Sequence, residues 1–258
     1  MVEDPRQSRR FGRGNIVSLS LPAREEILAR IRAARPKLST SVETSYTNIR
    51  REYSRSLGMD RSACVQLFID RLLDYDSEVI ELAHEAEPPR VIKQVLRDAG
   101  EDRLLVPVGH LETLVPEGIE IYVDRDLAIS ELNRAQTVLT TCEAAVASSG
   151  TIFLVHGGTQ GRRSLTLLQD HHICIVRHDQ VYGSIPEVLG SVLLQSTKPI
   201  TSISGPSATS DIEMVRVRGV HGPRRLTILL YGNPVNLNAD TSPRMFAPKT
   251  IGCGGPIP

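Results

Sequence analysis

From Asp60 to Gly232 the apolar residues fall into two rhythms that take turns along the chain. Asp60 can cap a helix that carries Ala63, Val65, Leu67, Phe68, Leu72 and Leu73 on one broad face. Glu78 to Leu82 reads as a short strand. Pro88 opens a second helix with the stripe Val91, Ile92, Val95 and Leu96, and Gly100 closes it. Arg103 to Val108 is a buried-looking strand with Pro107 at its end, and Ile119 to Val123 is a third strand. Asp126 then caps a short helix around Leu127 to Arg134. This alternation predicts an α/β fold with a mostly parallel sheet flanked by helices. Ligands in such folds sit beyond the carboxyl ends of the strands.

The second half is richer in strands. Gln136 to Ala147 runs into Ser148-Ser149-Gly150-Thr151 and then Ile152 to Val155, a strand-to-strand corner at Gly150. A glycine loop spans His156 to Gly161, and Arg162, Arg163 and Ser164 follow it. Leu165 to Leu168 is a short helix, His172 to Val176 a strand, and Ile185 to Leu194 a helix. Pro199 to Ile203 and Leu226 to Tyr231 are the remaining strands. Before all this, Pro22 to about Arg35 forms an N-terminal helix with a short stripe of Ile27, Leu28 and Ile31, and Pro36 ends it. Thr40 to Thr47 is a hydroxyl-rich linker. Residues 1–20 read as an arm, with Arg6, Arg9, Arg10 and Arg13 against only Glu3 and Asp4. Beyond Gly232 apolar periodicity is lost, which predicts an irregular tail.

Composition narrows the class. The chain has 258 residues, enough to bury a substantial core, with 40% hydrophobic and 23% charged residues. Thirty basic residues balance thirty acidic ones, so no overall nucleic-acid footprint exists. No apolar run is long enough for a membrane span, and the basic N-terminus lacks the apolar core of a secretory signal. Cys64, Cys142, Cys174 and Cys253 are scattered, which fits a reducing cytoplasm and gives no cluster-binding or zinc spacing. They read first as small buried hydrophobes, although Cys142 or Cys174 could serve a redox response.

Candidate chemistry concentrates late in the chain. There is no Walker loop, no dinucleotide fingerprint, no paired-histidine zinc helix and no serine elbow. The turns at Ser149, Gly150 and Thr151 and at Gly157 to Gly161 could cradle an anion with charge from Arg162, or could be plain turns. His171 and His172 adjoin a strand, point to opposite faces, and read as core or surface histidines. The richest segment is Ile203 to Arg224. Gly205, Ser207, Thr209 and Gly222 supply turns and anion-binding donors there. Asp211, Glu213 and His221 are candidate catalytic groups, suited to proton transfer, metal ligation or ribose-hydroxyl binding. The plainer alternative is that Asp211 caps a helix and His221 bonds the backbone.

Two boxes in this segment carry a resemblance: Ser204-Gly205-Pro206-Ser207-Ala208-Thr209-Ser210-Asp211-Ile212-Glu213, then Gly219-Val220-His221-Gly222-Pro223. They resemble the signature of the LUD domain family, of the lactate utilization protein C type. Ala147 to Thr151 is similar to a third box, with Ser148 and Ser149 where the family has Glu and Thr. The resemblance implies an α/β domain over residues 59–232, after an N-terminal helix and linker at 21–58. It implies a fold similar to the sugar-phosphate isomerase and CoA-transferase group. It further implies an accessory role in oxidising L-lactate to pyruvate beside iron–sulfur partner subunits, with no iron–sulfur motif in this chain. The competing expectation is a stand-alone enzyme or binder for an anionic small molecule, phosphorylated or CoA-like.

Overall fold

The computed structural model describes residues 21–34, 47–50, 52–82, 87–191, 196–210, 216–218, 222–232 and 244–247. The chain divides into two units, Met1–Tyr53 and Ser54–Pro258. The first contains helix α1 (Leu21–Ala34), where Arg30 pairs with Glu26 one turn earlier. The arm at residues 1–20 and most of the hydroxyl-rich linker lie outside the described residues.

The second unit opens with α2 (Arg61–Asp74). Asp60 caps it by accepting a hydrogen bond from the Ala63 N–H at 2.8 Å. Its buried face is Cys64, Val65, Phe68, Ile69, Leu72 and Leu73, the i, i+4 stripe expected of a helix packed on a sheet. Strand β1 (Glu78–Glu81) follows, then α3 (Pro88–Ala99). Gly100 ends α3 at φ 69°, with its N–H on the Arg97 carbonyl and the Glu101 N–H on the Leu96 carbonyl. Only glycine adopts that left-handed turn at little cost. The turn delivers Glu101 to the amino end of β2 (Arg103–Pro107).

Strands β3 (Glu120–Asp124), β4 (Thr137–Thr141), β7 (His171–Arg177) and β12 (Arg225–Tyr231) complete the parallel core. With β13 (Arg244–Phe246) at one edge, the main sheet among the described residues runs β13-β1-β12-β7-β4-β2-β3. Every pairing is parallel except that of β13, which lies antiparallel on the edge of β1. The tail read as irregular therefore contributes a strand.

Both faces of this sheet are covered. Cys174 and Val176 of β7 and Ile228 and Leu230 of β12 join the α2 side. Ile173, Ile175 and Leu229 join α3 on the other. Burial on both faces explains the unbroken apolar runs.

The short helix after β3 is α4 (Ile129–Leu132), and it differs from expectation at its start. Asp126 does not cap it. That residue sits at φ 67° two positions before the cap residue Ala128, whose N–H donates to Glu131 Oε2 at 2.8 Å. The run Gln136 to Ala147 is also not one strand. After β4 the chain leaves the main sheet at Cys142-Glu143 and enters β5 (Ala144–Val146) of a second sheet. That sheet has the order β8-β5-β6-β9, with β6 (Thr151–Val155), β8 (Val181–Tyr182) and β9 (Ile200–Ser204). Its Gly150 corner packs on α2, because a Cβ at Gly150 would lie 3.0 Å from Arg71 Cβ and 3.1 Å from the Arg71 carbonyl carbon. Helices α5 (Leu165–Leu168) and α6 (Ile185–Ser191) are short, and β10 (Ala208–Ser210) pairs antiparallel with β11 (Arg216–Arg218).

Candidate functional site

Three parallel strands end side by side: β4 at Thr141, β7 at Arg177 and β12 at Tyr231. A cavity of about 480 Å³ opens beyond those carboxyl ends, where α/β sheets place ligands. Its walls come from the chain's two departures into the second sheet. One is Cys142-Glu143 after β4; the other is the 3₁₀ turn His178–Gln180 after β7, which leads to Tyr182.

Hydrogen bonds hold these walls. Gln180 Oε1 accepts from the Arg177 N–H at 2.9 Å, and Gln180 Nε2 donates to the Cys142 carbonyl at 2.8 Å. One side chain thus ties the end of β7 to the end of β4. Arg177 donates through Nε and Nη2 to the two oxygens of Asp179, at 2.8 and 3.1 Å. That hydrogen bonding holds the Asp179 carboxyl below its ordinary value, against a smaller opposing effect of burial. Across the cavity Glu143 Oε2 accepts from Gln160 Nε2 at 2.8 Å, and Gln160 Oε1 accepts from the Val155 N–H. Thr141 and Thr159 share a hydroxyl hydrogen bond of 2.7 Å. The Cys142 thiol is raised well above its ordinary value, first by its hydrogen bond with Cys174, then by burial and by Glu143. It is a thiol and not a thiolate at neutral pH, which makes it a poor nucleophile.

The residues expected to bind a ligand lie elsewhere. Ser149, Thr151 and Ser204 form a hydroxyl chain with successive distances of 2.7 Å. Gly205 adjoins it at φ 79°, where a Cβ would meet Tyr75 Cβ at 2.6 Å. The Ser207 N–H donates to the Pro223 carbonyl at 2.8 Å, and Gly222 packs beside Ser207. Thr209 sits on β10 opposite Val217. The structure therefore brings Ser149, Gly150 and Thr151 against Ser204-Gly205, and Ser207 against Gly222-Pro223. This cluster lies at the Thr151 end of β6, whereas the cavity adjoins its Val155 end. Asp211, Glu213 and His221 lie outside the described residues.

Arg162 and part of the glycine loop are already engaged. Arg162 donates to both oxygens of Asp124, at 2.8 and 2.9 Å, and to the Leu127 carbonyl. In the glycine loop the N–H groups of Gly157, Gln160 and Gly161 close onto carbonyls of the loop itself.

A second polar constellation sits at the opposite, amino end of the sheet. Glu101 Oε2 lies 2.8 Å from His171 Nδ1, and His171 Nε2 lies 2.9 Å from Thr227 Oγ1. An acid, an imidazole and a hydroxyl in line have the form of a nucleophilic triad. Burial decides otherwise: His171 and Thr227 are each 0% exposed, and the Thr227 hydroxyl donates to Glu78 at 2.9 Å. No substrate reaches that oxygen, so the network is structural. Burial works to raise the Glu101 carboxyl. Hydrogen bonds from His171 and Thr137, helped by the Arg225 charge, outweigh it and leave the group below its ordinary value. His172 faces the other way, 2.7 Å from Thr140, and burial pushes it down to about 3. Among the described residues no group of three or more His, Cys, Asp or Glu is placed to hold a metal ion. Among the same residues no helix is long and apolar enough to cross a membrane.

Residues 65–231 match the LUD domain family model. The chain belongs to the LUD domain family. It is 41% identical over 177 residues to Lactate utilization protein C of Deinococcus radiodurans, covering 67% of this chain and 82% of that protein. It is 31% identical over 125 residues to Lactate utilization protein C of Halalkalibacterium halodurans, covering 45% of this chain and 54% of that one. The crystal structure of a DUF162 family protein from Deinococcus radiodurans superimposes with a TM-score of 0.58 at 36% identity, over 67% of this chain and 99% of that chain.

The LUD domain spans the cavity, yet its lining residues Glu143, Arg177, Asp179, Gln180, Tyr182 and Tyr231 carry no sequence motif. One signal was present. The apolar run His172 to Val176 passes directly into Arg177-His178-Asp179-Gln180, an abrupt charged cluster where a parallel strand ends.

Proposed function

We propose that this LUD domain protein serves L-lactate utilization in the cytoplasm, as an accessory component beside iron–sulfur partner subunits. The observation that carries this reading is the 41% identity to Lactate utilization protein C of Deinococcus radiodurans, across most of that protein's length. Oxidation of L-lactate to pyruvate releases two electrons and two protons. The reading assigns the electron carriers to partner subunits and gives this chain a small-molecule pocket at the carboxyl ends of β4, β7 and β12.

A stand-alone role with an anionic ligand has less support. It rests on Asp211, Glu213 and His221, which lie outside the described residues, and one of its anion donors, Arg162, is engaged with Asp124.

The test is purification of the tagged chain from its native cells growing on L-lactate. Co-purifying subunits with the visible absorbance of iron–sulfur clusters, together with slowed growth on L-lactate when the gene is deleted, are the expected results. Recovery of the chain alone, with normal growth of the deletion strain, overturns the reading.

A further inference from the structure

The charge balance of the cavity constrains what it can hold. Three charged side chains line it: Glu143, Asp179 and Arg177. Asp179 already takes both Nε and Nη2 of Arg177. The nearby Arg61 donates to the His178 carbonyl and does not line the cavity. A carboxylate or phosphate entering here meets two carboxylates against one guanidinium, two of whose five N–H donors already go to Asp179.

The amides are held in the walls. Gln180 is pinned at both ends, and Gln160 is held between Val155 and Glu143. What the cavity presents is a carboxylate of fixed orientation, Glu143, with hydroxyls of Thr141, Tyr182 and Tyr231 around it. A fixed carboxylate selects a ligand that brings hydrogen-bond donors, and a vicinal diol brings two. Acidic side chains read ribose hydroxyls in this way beyond the carboxyl ends of other parallel sheets. At about 480 Å³ the cavity is also within the size range of sites that enclose drug-sized ligands.

We infer that this cavity binds a neutral, diol-bearing ligand of nucleoside type, with Glu143 accepting from the diol, and that it excludes free L-lactate. The inference deepens the proposed role and rests on the cavity being this domain's ligand site. The hydroxy acid is then handled elsewhere in the assembly, and this chain recognises a different component.

Calorimetric titration of the full chain tests it, with the four ribonucleosides, their 2′,3′-dideoxy analogues and sodium L-lactate as probes. At least one ribonucleoside should bind, its dideoxy analogue at least tenfold more weakly, and L-lactate should give no heat. Glu143→Gln should weaken the ribonucleoside at least tenfold while leaving the melting temperature unchanged, since glutamine still accepts from Gln160. The double variant Glu143→Gln, Asp179→Asn leaves Arg177 as the cavity's one charge and should acquire L-lactate binding. The inference is overturned if wild type binds L-lactate, if diol and dideoxy forms bind alike, or if no ribonucleoside binds. Partner capture on L-lactate medium is read separately, so loss of the ligand class and loss of the proposed role give different results.

Discussion

Glu101 follows the glycine that closes α3, and that turn places its carboxylate under the amino ends of β7, β4 and β12. His171, Thr137 and Arg225 all converge on it, and its side chain is only 11% exposed. Removing one partner from a buried, hydrogen-bonded charge pair leaves the other uncompensated. Glu101→Gln should therefore cost about 3 kcal/mol in urea unfolding at pH 7. The pH dependence has a definite sign. The folded-state carboxyl lies below its ordinary value, so its contribution is complete above the unfolded value of about 4.3. It is lost as pH falls through the folded value. The stability gap between wild type and Glu101→Gln should narrow steadily below about pH 4, because protonation makes the two side chains alike. A gap that stays constant from pH 6 to pH 3 would refute the assignment. Sequence alone showed His171 as a core or surface residue. Its side-chain partners, Glu101 and Thr227, come from two other segments, a relation no local pattern records.

At the scale of elements, glycines mark where chain segments must pass close to one another. Gly100 and Gly205 both hold left-handed backbone, at φ 69° and 79°. A Cβ on Gly100 would enter open space, whereas one on Gly205 would strike Tyr75 at the end of α2. Gly100→Ala should thus cost about 1 kcal/mol for the backbone alone. Gly205→Ala should cost about 3 kcal/mol or more, because β9 must also move away from α2. Paired thermal denaturation measures the difference, and equal losses would show that Gly205 is not a packing glycine. The sequence locates these turns and marks Gly150 and Gly205 as ligand-binding candidates; the structure adds that both pack closely against α2 or its C-cap. Turn-forming and close-packing glycines look identical in one dimension. The parallel strands were legible because burial on both faces leaves uninterrupted apolar runs such as Leu104–Val106 and Ile173–Val176. The second sheet was not, because β4 and β5 lie within one apolar stretch and only Cys142-Glu143 separates them.

For the whole molecule, the candidate cavity and the recognisable motif draw on different residues. The described parts of the two family boxes, 204–210 and 222–223, meet through the Ser207 N–H and the Pro223 carbonyl, while the cavity at the strand ends is built from residues without a signature. A cavity needs side chains from β4, β7, β8 and β12 together, and only the sheet order β12-β7-β4 makes them neighbours. The same order leaves β1 one place from the sheet's end, where it depends on β13 for cover. β13 pairs Val79 with Phe246 and Glu81 with Arg244, and Phe246 packs on the α2 side of the core. It also walls a cavity of about 390 Å³ beside Glu78 and Arg225 at the amino end of the sheet. An uncovered β1 would present unpaired N–H and C=O groups on a strand whose Val79 and Ile80 are fully apolar, a template for edge-to-edge association. Truncation after Gly232 should therefore lower stability by about 2 kcal/mol through loss of the Phe246 contact. It should also produce concentration-dependent light scattering that full-length protein lacks. Phe246→Ala in the intact chain separates the two effects. It should reproduce most of the stability loss without the scattering, because the backbone ladder on β1 stays in place. A truncated chain that remains monodisperse would mean that β1 needs no such cover, and that the tail contributes only its apolar contact.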